Sequence, residues 1–376
     1  MQIEIESEGA LRVLLETRGE LRGVVVQRLD LRPLSDTLRK ADARGAVFLG
    51  CTFDTELLAH VLGRGAMVFP SLEGLPFEPY RQALYTPDEL LEGFDRNEPR
   101  SFWTASRDAR IYAWYERTRR DAAVPVFDAL AQRLHDHAID DALGDLLHDP
   151  RRARKVVGVM GGHGMKRGDP VYRDVARLSR RLAERGYFLV SGGGPGAMEA
   201  TNLGAWYATR PEAELDAAIH VLARAPTYRD DGWIATALDV RAAVSHGGES
   251  LGVPTWFYGH EPPNAFATFH AKYFSNSIRE DGLLAIARHG VIYAPGSAGT
   301  IQEIFQDAAQ NHYGTCFDVS PMIFLGTKYW TSDKPVFPLL ERLAEGHTYG
   351  KMLSIHDDVD AVVAFLEEHP PVPFVK

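Results

Sequence analysis

Three times along this chain a short apolar run meets a glycine turn and then a stretch of helical periodicity, and few folds accept that pattern. The fullest copy is Gly290-Val291-Ile292-Tyr293-Ala294 followed by Pro295-Gly296-Ser297-Ala298-Gly299-Thr300. The apolar run has the length and β-branched content of a buried strand. Ile301, Ile304, Phe305 and Ala308 then recur at helical spacing, so a helix is predicted to start near Thr300. A strand, a glycine turn and a helix start aim free backbone N–H groups at one point, where the helix dipole favours an anion. Glu303 lies one turn into that helix, and a carboxylate beside an anion site is unfavourable unless it has work to do.

The two other copies lie upstream. Lys155-Val156-Val157-Gly158-Val159-Met160 leads into Gly161-Gly162-His163-Gly164 and a helix predicted from about Pro170 to Glu184. Gly186-Tyr187-Phe188-Leu189-Val190 leads into Gly192-Gly193-Gly194-Pro195-Gly196 and a helix carrying Met198, Ala200 and Ala205. This repetition predicts an α/β fold with a Rossmann-like, doubly wound parallel sheet, its ligand in the crevice at the carboxyl ends of the strands. Further predicted elements are helices over 211–223, 231–244 and 265–278, strands over 251–257 and 321–325, and a last helix holding Val359 to Leu366.

Residues 1–94 alternate strands (24–27, 46–50, 66–70) with short helices, one of them capped by Asp54, and are expected to form a small N-terminal α/β lobe. Residues 95–150 are expected to be a helical linker, and 151–376 the nucleotide-binding domain. Within the linker, His135, His137, Asp140 and Asp141 invite a metal reading. On a helix His135 and His137 point to different faces, so a solvated polar face is the expectation, with no metal site. Cys51, after a strand, is expected to be an inert core thiol.

With 376 residues and a formal charge of −10, the chain has room for two or three cores and is too acidic for a general nucleic-acid binder. Two cysteines exclude a disulfide framework. No run reaches the ~18 apolar residues of a membrane span, and the acidic start lacks a signal-peptide pattern. The expectation is a cytoplasmic protein with no membrane or nucleic-acid partner.

The first two turns lack the spaced dinucleotide fingerprint, and no Walker Gly-Lys-Ser/Thr occurs. Three turns converging on one ligand instead fit a mononucleotide, with phosphate on Gly296, Ser297, Ala298, Gly299 and Thr300, and sugar and base over Gly161, Gly162, Gly192, Gly193 and Gly194; Met198 suits either packing against the sheet or the base pocket. The helix predicted before the third strand holds Lys272, Asn276 and Arg279, with Lys272 and Arg279 two turns apart on one face. Arg279 is either a phosphate or ribose clamp or a surface pair with Glu280 or Asp281, and Asn276 is a candidate ribose contact. His163 suits either a ligand contact or a plain turn, and Glu199 either the ligand or its own helix start.

Ser191-Gly192-Gly193-Gly194-Pro195-Gly196-Ala197-Met198 and Pro295-Gly296-Ser297-Ala298-Gly299-Thr300-Ile301-Gln302-Glu303 resemble the two signature motifs, GGGxxGxM and PGGxGTxxE, of the LOG family. That family is named for the plant "lonely guy" cytokinin-activating phosphoribohydrolases. The similarity spans about 155–330 and is greatest to a longer bacterial branch, the nucleotide 5′-monophosphate nucleosidases. It implies hydrolysis of the N-glycosidic bond of a nucleoside 5′-monophosphate, AMP-like in the first instance, to free base and ribose 5-phosphate. It also implies a homodimer or higher homo-oligomer with no metal or organic cofactor. The motif glutamate falls on Glu303, the phosphate-binding Gly-Thr on Gly299 and Thr300, and the catalytic arginine on Arg279. Ser297 stands where the pattern has glycine, and Glu280 where it has lysine. The alternative from another class is a non-catalytic module that holds a nucleotide or molybdenum cofactor.

Overall fold

The computed structural model describes residues 3–119 and 124–374. It divides into two compact units, Met1–Ala83 with Ala123–Ala142, and Leu84–Ala122 with Leu143–Lys376. The segment read as a linker therefore contributes to both.

In the first unit, strands β1 (Ile3–Ile5), β2 (Val24–Gln27), β3 (Val47–Leu49) and β4 (Met67–Phe69) pair in chain order, all parallel. Helices Glu8–Arg18 and Thr55–Gly63 make the first and last crossovers, capped by Ser7 and Asp54 through their side-chain oxygens. The strand at Ile3–Ile5 was not expected, because its alternating Glu residues read as a charged terminus. Cys51 is buried, donates to the Val26 carbonyl, and has its thiol pushed up to about 11 by burial, which makes it inert.

The polar-face reading of 135–141 is corrected here. The helix Val126–His148 buries Ala131, His135, Ala138, Ile139 and Ala142, a stripe at helical spacing. His135 is on that stripe, edge-on to Phe77 at 5.2 Å, and burial lowers its pKa. Asp136 beside it is buried too, whereas His137 and Asp140 are exposed. Stripe membership depends on what the helix packs against, which local composition does not state.

The second unit is built on seven strands: β5 (Lys155–Met160), β6 (Tyr187–Ser191), β7 (Ser250–Gly252), β8 (Phe269–His270), β9 (Val291–Tyr293), β11 (Met322–Leu325) and β12 (Leu353–His356). A short antiparallel pair, β10 (Asp318–Val319) with β13 (Val372–Pro373), stands apart. The seven are all parallel, in the order β12-β11-β9-β5-β6-β7-β8. The chain winds outward from β5 to β8, then returns to β9 on the other side of β5 and winds outward again. This is the doubly wound α/β arrangement, with its switch point between β5 and β9. The helices Pro170–Glu184, Ala197–Trp206 and Val359–Glu368 cover it, and their apolar residues join one core with Val157, Leu189, Ile292 and Ile323.

Two expectations fail near the site. The helix predicted over 265–278 begins only at Asn276 and runs to Ile286. Residues before it are extended: His270 pairs with β7 on one side and, through an antiparallel bridge, with Tyr85 on the other. Ala265, Phe266, Ala271, Tyr273 and Phe274 are buried all round, as are His270 and Lys272 between them, so the helical spacing of the apolar residues is an accident of near-complete burial. Lys272 therefore does not share a helix face with Arg279. The strand predicted over 251–257 stops at Gly252, and the chain leaves the sheet toward the crevice. No helix among the described residues is long and apolar enough to cross a membrane.

Candidate functional site

The three glycine turns meet through the backbone. Gly162 N–H donates to the Pro295 carbonyl at 3.0 Å, and the Gly162 carbonyl accepts from Ala197 N–H at 3.2 Å. The first turn thus bridges the other two at the sheet's switch point. A side chain on the second turn would break this contact: a Cβ on Gly196, whose φ is +71°, would lie 2.4 Å from the Gly162 carbonyl oxygen.

A cleft of about 600 Å³ opens there, lined among others by Gly161, Gly162, His163, Met198 and the run Ser297–Thr300. Helix Ala298–Tyr313 starts at its edge, and its first intrahelical bond is Ile301 N–H to the Ser297 carbonyl. The N–H groups of Ala298, Gly299 and Thr300 precede that bond, as at any helix start. Ser297 to Gly299 are exposed, while Thr300 is buried beneath Gly296. Behind this turn, Lys334 Nζ donates to the Gly296 carbonyl at 3.3 Å, and Tyr329 Oη donates to the same oxygen.

Glu303 and Arg279 come together in this cleft, their side chains 13% and 11% exposed, with Arg279 Nη1 3.6 Å from Glu303 Oε1. Arg279 is aimed by its Nε, which donates to the Val253 carbonyl at 2.8 Å. Burial pushes the Glu303 carboxyl up to about 7 against the opposing pull of Arg279, and Glu280 and Glu261 push the same way. Glu280 has a structural place: Tyr258 Oη donates to one carboxylate oxygen at 2.9 Å and Gln302 Nε2 to the other at 2.6 Å.

Other predicted residues stand further back. Gly192, Gly193 and Gly194 are buried and do not line the cleft. Their lack of a side chain makes room behind it: a Cβ on Gly192 would lie 2.5 Å from both Arg279 Nη2 and Met198 Sδ. Asn276 is also off the cleft wall, and its Nδ2 donates to Tyr258 Oη at 2.9 Å. Glu199 serves the fold. It is fully buried in a two-pronged pair with Arg167, at 2.6 and 2.8 Å, and accepts from Tyr172 Oη.

Sequence reasoning missed one constellation entirely. Asp108, fully enclosed, receives Lys272 Nζ at 2.6 Å and Trp256 Nε1 at 2.9 Å on one oxygen and sits 3.0 Å from His260 Nε2 with the other. Burial alone would raise the Asp108 carboxyl, but Lys272 and His260 overcome it and hold the group well below the usual carboxylate range. His260 and Glu261 line the cleft. The three partners lie 148 or more positions from Asp108 along the chain, and no local motif signals such a cluster.

Residues 154–209, which hold the first two glycine turns, match the model of the SLOG cluster4 family (LDcluster4). The SLOG superfamily includes the LOG nucleosidases. The second unit is a Rossmann-like module, and one segment of it matches that family model. No curated protein matches the chain. Among solved structures it is similar to the molybdenum cofactor binding protein of Rippkaea orientalis, at 15% identity and TM-score 0.38 over 57% of this chain and 96% of that one. The molybdenum cofactor carrier protein of Chlamydomonas reinhardtii matches at 16% and 0.38 over 57% and 97%. TM1055, a structural genomics target, matches at 22% and 0.36 over 57% and 99%.

Proposed function

We propose that the protein hydrolyses the N-glycosidic bond of a nucleoside 5′-monophosphate, releasing the base and ribose 5-phosphate. The observation that carries this reading is Glu303, a largely buried carboxylate facing Arg279 one helical turn beyond an anion-type turn. A module that only holds a nucleotide has no need of a carboxylate there. The phosphate would rest on the amides of 297–300 beside Arg279, and this remote binding aligns the sugar. As the bond from C1′ to the base nitrogen breaks, its electrons leave with the base and positive charge grows on the ribose. Ionised Glu303 stabilises that charge and takes a proton from the attacking water, while the base acquires one on leaving. Glu280 and Glu261 add to the negative field at the same place. A homodimer, no cofactor and a cytoplasmic location complete the reading.

Incubating the protein with a panel of nucleoside monophosphates and assaying for free base tests it directly. Tight nucleotide binding with no base from any of them would mark a binding module instead.

Two further results are expected. Because Glu303 is half-protonated near pH 7 and works as the anion, kcat/KM should rise through about pH 7 and level off above it. A flat profile from pH 5.5 to 8.5 would count against Glu303 as the ionising group. At Gly296, an added Cβ would stand 2.1 Å from Thr300 Oγ1 and 2.6 Å from Thr300 Cβ, so the first helical turn must shift. Gly296→Ala should therefore weaken nucleotide affinity by roughly tenfold or more in a calorimetric titration, since misplacing such a turn by ~1 Å is costly.

A further inference from the structure

His260 is held in a way that dictates which of its ring nitrogens faces a ligand. Its ring stacks on Tyr112 at 5.3 Å and 18° and meets the Trp103 ring edge-on at 5.1 Å. Nε2 is tied to Asp108, whose carboxylate is kept ionised in the interior by Lys272. An ionised carboxylate only accepts hydrogen bonds, so the Nε2 proton stays on the ring and points at Asp108. In the neutral imidazole the other nitrogen, Nδ1, then carries the lone pair, and among the described residues the ring's hydrogen bond is the one to Asp108. Lys272 also donates to the Glu261 carbonyl at 3.4 Å, which anchors the segment carrying His260 to the same cluster. The side chain is 11% exposed, and His260 lines the cleft that holds Glu303.

We propose that His260 Nδ1 is the acceptor that reads the exocyclic amino group of the base, selecting 6-aminopurine over 6-oxopurine nucleotides. Asp108 and Lys272 are positioning residues that set its tautomer. This inference rests on the nucleotide reading of the cleft and assigns the specificity that reading leaves open. An amino group at C6 offers N–H to the lone pair; an oxo group there would set two acceptors against each other and leave both unpaired.

The experiment compares AMP with IMP, which differ in the ring at C6, by equilibrium titration of Glu303→Gln protein so that binding is read without turnover. AMP is expected to bind about tenfold or more tighter than IMP. In Glu303→Gln/His260→Ala the ratio should collapse to within about twofold, chiefly by loss of AMP affinity. Asp108→Asn gives a sharper result. Lys272 and Trp256 both donate to one Asp108 oxygen, so the amide oxygen would take that place and its NH2 would face Nε2. The ring proton would then move to Nδ1, and the AMP-to-IMP ratio should fall below one, an inversion that mere loosening of the loop cannot produce. If Asp108→Asn does not fold, the His260→Ala ratio decides alone. Equal binding of AMP and IMP by the parent, a ratio unchanged by His260→Ala, or no nucleotide binding at all overturns the proposal. Base release from AMP and IMP at equal efficiency would sink it while leaving the hydrolase reading intact. Selective AMP binding with no base release from wild-type protein would do the reverse.

Discussion

Replacing Glu303 with glutamine is expected to cut turnover of the best nucleoside monophosphate by at least about 100-fold while nucleotide affinity changes by less than about threefold. Glutamine keeps the shape and one acceptor but loses the charge, so it removes what matters only as the ribose becomes cationic. Affinity is expected to hold or even improve slightly, because a carboxylate beside a bound phosphate is unfavourable in the ground state. The two effects are separable by steady-state assay of released base and by calorimetric titration. Turnover within about fivefold of wild type would remove Glu303 from the chemistry. The same substitution should also abolish the rise of kcat/KM through about pH 7, since the group that burial and Glu280 push to that value is gone. Arg279 opposes that push from 3.6 Å, so Arg279→Ala should move any remaining limb of the profile to higher pH.

The second large effect concerns stability. Arg167 is fully buried: its Nε and Nη2 hold Glu199, and its Nη1 donates to the carbonyls of Ala225 and Trp233 and to Thr236 Oγ1. Arg167→Leu strips the carboxylate of its cation and leaves only the Tyr172 hydroxyl beside it. A buried charge left alone typically costs about 3–5 kcal/mol, a large share of the ~5–15 kcal/mol that holds a domain together. Urea denaturation should show that loss as a lower midpoint with an unchanged slope. The double substitution Arg167→Leu/Glu199→Leu should recover much of it, because the uncompensated charge has gone. A loss below about 1 kcal/mol in the single variant would show that Glu199 is protonated or hydrated there instead.

Much of the sheet was legible in the chain because its signals are local. Strand β5 and the helix Pro170–Glu184 lie where periodicity and the Pro170 start placed them, and each of the three glycine turns follows its strand. Legibility failed where burial is complete. From Ala265 to Phe274 nearly every residue is buried, polar His270 and Lys272 included, so strand and helix periods cannot be told apart, and pairing with β7 and Tyr85 decided for the extended form. His135 was misread for a related reason: a polar residue on a buried stripe looks local, but its burial is set by Phe77 and its neighbours in the fold.

By itself the sequence determined the strand-turn-helix units, the glycine turn at 296–300 and the glutamate one turn beyond it. These depend on glycine's freedom, apolar run length and helix starts, all of which act within about ten residues. Only the tertiary structure decided that the turns after β5 and β9 flank one switch point, and that Arg279 reaches Glu303. The same holds for Asp108, Trp256, His260 and Lys272, which meet at one carboxylate. Such meetings are set by strand order and by the need to pair every buried charge, and neither is written in any one stretch of chain.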